Sequence, residues 1–574
     1  MDSFPQRNEA NVDRRRFLGA AGVLSALGVT SRGNWFGSHE DDADSTGESF
    51  DPLEVSAAEI QRKYRTGQLT VRTVVERYLE RIREFEDELG AIIRINPHAL
   101  ERADEMDDAL ESGEVAGPLH GIPLVLKDNH DTADIPTTAG SVSLAESNPT
   151  DDATIVSEMR EAGGLVLAKT NLSEFAFSYT TISSFGGVTS NPYDLDRHAG
   201  GSSGGTGAAM AANIGVLGTG SDTGGSVRVP SAACGLVGLR PTTGLVSRDG
   251  IVPLSLTEDT SGPMTRTVAD TALLLDVVAG YDPADPETSE SVGRTPHAEG
   301  QSYTDYLRLD GLEDARIGVF RDYVGPSDDA DEAAVADANA VADVFEEALD
   351  DLEAAGAELV DPVSAPSWDF VYSANVSSGD EFNRDINAYL AGVSDEDAPE
   401  DLEEIVESGE YAPAISYIEG REEVDEDAVN ENLEYLQTLS QRDDLRHEVL
   451  STMADHELDA VVYPALNHTA PHIDSDEPWG SNAQLSPALE FPSMTVPAGL
   501  TAGTEMPVGI EFMTRRYTEE QLIELAYAYE QHSRGGRQLP DGFGQIEPSD
   551  EEWDAEMIEA WNDAQHKNRT AGDD

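Results

Sequence analysis

One serine, Ser226, stands in the segment GSDTGGSVRVP (Gly220 to Pro230) behind a pair of glycines and with no histidine near it in the chain. Glycine permits positive φ and lets backbone N–H groups approach a ligand without a Cβ in the way. The amides of Thr223, Gly224, Gly225 and Ser226 are therefore able to converge on one point, as the stabilisation of an oxyanion requires. A serine that attacks a carbonyl also needs a proton acceptor. Lysine fills that role only where burial and neutral hydroxyl partners penalise its charged form, and arginine keeps its proton throughout. Lys127 closes the apolar run IPLVLK (Ile122 to Lys127). Read without the serine segment, it is equally a strand-end lysine paired to the adjacent Asp128.

The serine segment belongs to a longer stretch, Gly200 to Gly244, whose density of glycine and serine no ordinary core requires. Gly201-Ser202-Ser203-Gly204-Gly205 matches the G-x-S-x-G pattern of a nucleophile elbow, with Ser203 as nucleophile. That elbow follows a strand, however, and here NPYDLDRHAG precedes it and reads as turn and loop. No S-x-x-K precedes a core lysine, and the glycines do not form G-x-x-x-x-G-K-S, so neither a β-lactamase arrangement nor a phosphate-cradling loop is supported. A flexible linker fails too, because IGVLG, SVRVP and CGLVGL interleave apolar residues with the glycines.

The elements that must position these residues alternate. AIIRI at Ala91, IPLVLK at Ile122, LVLAK at Leu165, RIGVF at Arg316, LDAVVYPAL at Leu458, MTVPAGL at Met494 and PVGIEFM at Pro507 read as strands. Between them lie helical patterns: a serine-capped one from Ser56 to Gly67, a longer one from Thr70 to about Phe85, an Asp-capped one from Asp152 to Gly164, then Val268 to Gly280 and Thr518 to Gln531. This alternation predicts an α/β layered fold. The acid-rich helices expected over residues 332–361 and 400–444 suggest a cap over the sheet, and the acidic stretch from Ile546 reads as a loose tail.

With these pieces in hand, the chain resembles the amidase signature family, serine hydrolases that use Ser-Ser-Lys in place of Ser-His-Asp. The likeness rests on GIPLVLKDNHDTADIPTTAGS (Gly121 to Ser141), LAKTNLSEFA (Leu167 to Ala176), GGSSGGTGAAMAA (Gly200 to Ala212) and GTGSDTGGSVRVPSAACGLVGLRPTTG (Gly218 to Gly244). It continues through YPALNHTAPHI (Tyr463 to Ile473) and the stretch from Val496 to Gln531, so it covers nearly everything from Leu53 to Gly535. The resemblance implies a single large α/β domain with a mixed central sheet flanked by helices on both faces. It implies Ser226 as the acyl-forming nucleophile, Ser202 as the bridging serine behind a cis Gly201–Ser202 bond, and Lys127 as the base. It also places Ala176 in the wall of the acyl pocket. Asp222 and Arg228 are expected to brace the nucleophile loop, Lys169 to be structural, and His120, His130 and His198 to be loop or core partners.

The reaction so implied is hydrolysis of a carboxylic amide, a small-molecule substrate, to acid plus ammonia or amine, with no metal and no organic cofactor. The alternatives are the glutaminase subunit of a tRNA-dependent amidotransferase and a non-catalytic surface binding protein on the same scaffold.

Composition narrows the setting. A net charge of -76, from 112 acidic and 36 basic residues, repels nucleic acid and anionic membranes. The basic residues include only four lysines, Lys63, Lys127, Lys169 and Lys567, and such a surface suits molar salt. The single cysteine, Cys234, rules out an internal disulfide and reads as a small buried hydrophobe. At the N-terminus Arg14-Arg15-Arg16-Phe17-Leu18 precedes an apolar run too short for a stable membrane anchor, the order of a twin-arginine export signal. The resulting division is a signal peptide over 1–36, an acidic linker over 37–50, the amidase domain over 51–545 and an acidic tail over 546–574, with export to the cell surface or beyond and no stable membrane insertion afterwards.

Overall fold

The computed structural model describes residues 50–570, apart from 146, 328–329, 377, 394–397, 425–428, 430, 476, 478, 548 and 550–552. The signal peptide and all but the last residue of the linker expected from the sequence lie outside these described residues.

Local signals set the first elements. Ser56 accepts a hydrogen bond from the Glu59 amide and starts the helix Ala57–Arg65, and Thr70 caps Val71–Leu89 in the same way before Gly90 ends it with a left-handed residue. Buried residues of the second helix, among them Val71, Val74, Val75, Tyr78 and Ile82, recur at helical spacing and face the core. The helix expected from Asp152 is shorter, Thr154–Glu161. Asp152 does not cap it; its carboxylate accepts from the Ala133 amide at 2.9 Å and ties down a different loop.

Eleven strands form one mixed sheet. In chain order they are β1 (Ile92–Ile95), β2 (Ile122–Lys127), β3 (Gly164–Thr170), β4 (Leu217–Asp222), β5 (Val237–Arg240), β6 (Thr260–Thr265), β7 (Arg316–Val319), β8 (Glu358–Val360), β9 (Ala460–Pro464), β10 (Ser493–Leu500) and β11 (Pro507–Met513). Their order across the sheet is β1-β3-β2-β4-β6-β5-β10-β11-β9-β7-β8. The fold is thus a single large α/β domain, its mixed sheet flanked by helices, as the sequence led us to expect.

Near the site, β2 runs parallel to β3 and β4, with Lys127 opposite Thr170 and Leu126 opposite Thr219. The carboxyl ends of β2 and β4 therefore lie side by side, where open α/β sheets commonly gather ligands. Strands β4 and β6 escape sequence reading because LGTGSD and TSGPMT show no run of large apolar residues. Their glycines answer to packing: a Cβ on Gly220 would lie 2.6 Å from Ser203 Oγ, and one on Gly262 would meet the Leu239 carbonyl.

Two expectations need correction. The helix Glu332–Ala354 is no cap: Val341, Phe345, Ala348 and Leu352 are buried in the main core, and the helix packs on β9, β10 and β11. Nor is the C-terminal stretch wholly loose. Ala555–Thr570 is helical, Trp553 and Ile558 are buried, and Asn562 exchanges two 2.9 Å hydrogen bonds with the backbone of Ile95. The side-chain amide thereby occupies backbone groups of the edge strand β1 that would otherwise be open to pairing. Among the described residues no helix is long and apolar enough to cross a membrane.

Candidate active site

Lys127 is the last residue of β2 and is wholly buried, as is Ser202. Its ammonium nitrogen, Nζ, donates to Ser202 Oγ at 2.7 Å and to Ser221 Oγ at 2.8 Å. Burial pushes its pKa down to about 7, against the attraction of Asp259 and Asp222. The neighbouring carboxylate, Asp128, does not pair with it; Asp128 Oδ1 lies 2.8 Å from Lys169 Nζ, with both side chains buried. Lys169 also donates to Thr137 Oγ1 at 3.0 Å, in keeping with a structural part.

Ser202 is placed by a turn that only glycine can make. Gly200 has φ of 84°, the Gly201–Ser202 peptide is cis, and a Cβ on Gly201 would lie 2.7 Å from the Tyr179 backbone. The helix Gly204–Ala211 follows at once.

Ser226 lies in the loop between β4 and the helix Arg228–Ala233 and is 4% exposed. Its carbonyl accepts from the Ser203 amide at 3.3 Å, which joins the two serine-bearing loops. Asp222 holds this loop from within. Its carboxylate accepts from the Gly225 amide at 2.9 Å and the Val227 amide at 3.1 Å, and it pairs with Arg228 and Arg240 at 3.1 Å each. Burial alone would raise its pKa, but the two guanidinium groups hold it well below the usual carboxylate range. Arg228 reaches on to Glu511 at 2.6 Å, so the expected brace is part of a wider buried network.

The amides expected to converge on an oxyanion are not all free. Gly225 spends its N–H on Asp222, a correction to the sequence reading, so this residue serves through its φ of 125°. Among the described residues the N–H groups of Thr223, Gly224 and Ser226 have no hydrogen-bond partner and remain available. Tyr179 Oη donates to the Gly224 carbonyl at 2.5 Å and accepts from Gln484 Nε2 at 2.8 Å, fixing the peptide on that side.

Ala176, at φ of 64°, lines a small cavity beside Ser221, Thr223, Val252 and Leu254. His130 is buried, bonded to the Lys127 carbonyl at 3.0 Å and Ser261 Oγ at 2.9 Å; burial, with the charges of Lys127 and Lys169, lowers its pKa to about 3. It is a neutral core partner. His120 likewise ties loops, accepting from the Ala116 amide at 3.2 Å. The ring of His198 sits 6.0 Å from that of Trp479, away from the lysine. Cys234 is buried, as its apolar setting predicts.

Sequence reasoning missed Ser221, Asn129 and Asp259. Asn129 Nδ2 donates to Ser221 Oγ at 3.0 Å, so the second hydroxyl on the lysine is itself oriented. Asp259, wholly buried and raised to about 6 by burial, accepts from Thr223 Oγ1 at 2.5 Å. The one signal for Ser221 was its place beside Asp222 in the glycine-serine segment.

A buried lysine held by two hydroxyls, beside a glycine loop bearing a serine, is the arrangement on which comparison with known proteins bears. The Amidase family model matches residues 73–523. The chain belongs to the amidase family. It carries the whole domain found in a glutamyl-tRNA(Gln) amidotransferase chain of Thermoanaerobacter pseudethanolicus: the two are 31% identical over 507 residues, 83% of this chain and 96% of that one. The corresponding chloroplastic/mitochondrial chain of Arabidopsis thaliana is 32% identical over 509 residues, 84% and 90% of the two chains. Among solved structures, native peptide amidase from Stenotrophomonas maltophilia superposes with a TM-score of 0.72 at 36% identity, covering 85% of this chain and 98% of that one. This amidase is a hydrolase of carbon–nitrogen bonds.

Proposed function

We propose that this amidase cleaves a carboxylic amide to acid plus ammonia or amine through an acyl-enzyme on Ser226, with Ser202 as the bridging hydroxyl and Lys127 as the base. The observation that carries the reading is the 2.7 Å contact between Lys127 Nζ and Ser202 Oγ in a wholly buried setting. Neutral Lys127 takes the Ser202 proton while Ser202 takes that of Ser226, and Ser226 Oγ bonds to the carbonyl carbon. The amides of Thr223, Gly224 and Ser226 face the developing oxyanion. Return of the proton through Ser202 to the amide nitrogen breaks the carbon–nitrogen bond and releases the amine. Water then repeats the cycle on the ester and frees the acid.

The test is labelling by a fluorophosphonate together with hydrolysis of simple amides. Ser226→Ala is expected to abolish both with the fold intact, and normal labelling of that variant would overturn the assignment.

A second reading is favoured by the amidotransferase relatives: a glutaminase subunit that passes ammonia to a partner. Co-purification with a second protein chain and release of ammonia from glutamine would support it. The twin-arginine-like N-terminus speaks for export and against a tRNA-bound role. We further infer an export route through that signal and a setting of molar salt. The support is compositional: of four lysines in the chain, Lys127 and Lys169 are wholly buried, so the acidic surface is almost free of lysine.

A further inference from the structure

We propose that the acyl part of the substrate is short, apolar and uncharged, so that glutamine is not the substrate of this site. The inference rests on the acyl-enzyme reading above and concerns the cavity next to Ser221 and Thr223.

Hydrocarbon forms its walls: Ala176, Ile251, Val252, Leu254 and Leu256. Behind them Phe175, Phe177 and Phe382 pack ring against ring, with Phe382 centred 4.6 Å from Phe177 and 6.1 Å from Phe175. The cavity and its mouth enclose about 280 Å³. That is near the lower limit of small-molecule pockets, about 300 Å³. It suits a compact acyl group better than a long chain.

Two ionisable residues also reach the cavity, and each is already matched. Arg248 lies 2.6 Å from Asp285 Oδ1 and 2.8 Å from its Oδ2, and it donates to the Leu256 carbonyl. Asp259 accepts from the amides of Leu254 at 2.8 Å and Ser255 at 3.0 Å and from the Thr223 hydroxyl. Glutamine carries an ammonium and a carboxylate on the acyl side of its amide. Either charge, buried here, would need a partner taken from these pairs, and an unpaired buried charge is strongly unfavourable.

The walls are also fixed in advance. Glu381, on the helix Ser378–Leu390, accepts from Thr257 Oγ1 and Tyr435 Oη at 2.6 Å each. Four residues along the same helix, Asp385 accepts from the Leu256 amide at 2.9 Å. The loop from Leu254 to Asp259 is thus clamped from one side by this helix and from the other by Thr223. A preformed apolar pocket discriminates by fit rather than by rearrangement.

The experiment compares kcat/KM for primary amides that share ammonia as leaving group: acetamide, propionamide, butyramide, hexanamide, decanamide, succinamic acid and glutamine. Each methylene that enters the cavity should raise kcat/KM roughly fourfold. The rise should stop and reverse before decanamide, with glutamine and succinamic acid at least about 100-fold below butyramide. Leu254→Ala should shift the optimum to a longer chain. Glutamine turned over as well as butyramide, or an optimum unmoved by Leu254→Ala in a folded variant, overturns the proposal and leaves the Ser226 reading standing. If no amide is turned over and Ser226 takes up no fluorophosphonate of any alkyl length, the reading of Ser226 fails, and this proposal with it.

Discussion

Asp128 Oδ1 pairs with Lys169 Nζ at 2.8 Å, and this leaves Lys127, the residue next to Asp128 in the chain, facing hydroxyls in place of a carboxylate. The difference decides the chemistry. A carboxylate partner would have fixed the proton on Lys127, whereas burial among hydroxyls drives it off. Lys169, next to the last residue of β3, takes the ion pair that a reading of Lys127 alone would have assigned to Lys127.

The pH dependence follows from that arrangement. The base is active when neutral, so kcat/KM should climb through a limb centred near the Lys127 pKa of about 7 and level off above it. Lys127→Arg keeps a positive charge that cannot leave and should lose about 10²- to 10⁴-fold in kcat, the usual worth of a positioned base. The same group links to stability. Folded Lys127 releases its proton near 7 and the unfolded chain near 10.5, so the unfolded state binds more protons between those values and stability should rise with pH across that window. Rate profiles and thermal melts from pH 5 to 10 check both; an ascending limb unmoved from the ordinary lysine range would sink the base assignment.

Ser221 is the second hydroxyl on Lys127 and is oriented by Asn129. Ser221→Ala removes a hydrogen bond to an ionisable group, an interaction worth about 1.5–3 kcal/mol. It should lower kcat by about 10- to 100-fold and move the ascending limb of the pH profile, with KM little changed. A shift of KM alone would mean that Ser221 touches substrate and does not tune the lysine.

The acidic surface predicts a salt requirement. At about 1 M salt the Debye length is roughly 3 Å and the carboxylates are screened from one another, whereas at 0.1 M it is about 10 Å. With a net charge of -76, lowering the salt should depress Tm and cost activity. A melt series in potassium chloride from 3 M to 0.1 M measures it, and a Tm independent of salt would remove the case for a high-salt setting.

Much of this protein can be read along its chain. IPLVLK and PVGIEFM became strands with the bounds the apolar runs suggest, Ser56 and Thr70 capped the helices they precede, and the glycine-serine segment marked where a serine would be held. Those features are local: period, caps and backbone freedom are properties of neighbouring residues. Which distant groups meet was settled by folding alone. Ser221 reaches Lys127 across 94 positions, Glu381 reaches Thr257 across 124, and Asn562 covers the edge at Ile95 across 467. The Gly225 amide, free by sequence, is taken by Asp222. β6 is a strand because β4 and β5 lie on either side of it, since TSGPMT has little strand character of its own. Partners of this kind are chosen by the sheet order and the packing around it, and no spacing along the chain encodes them.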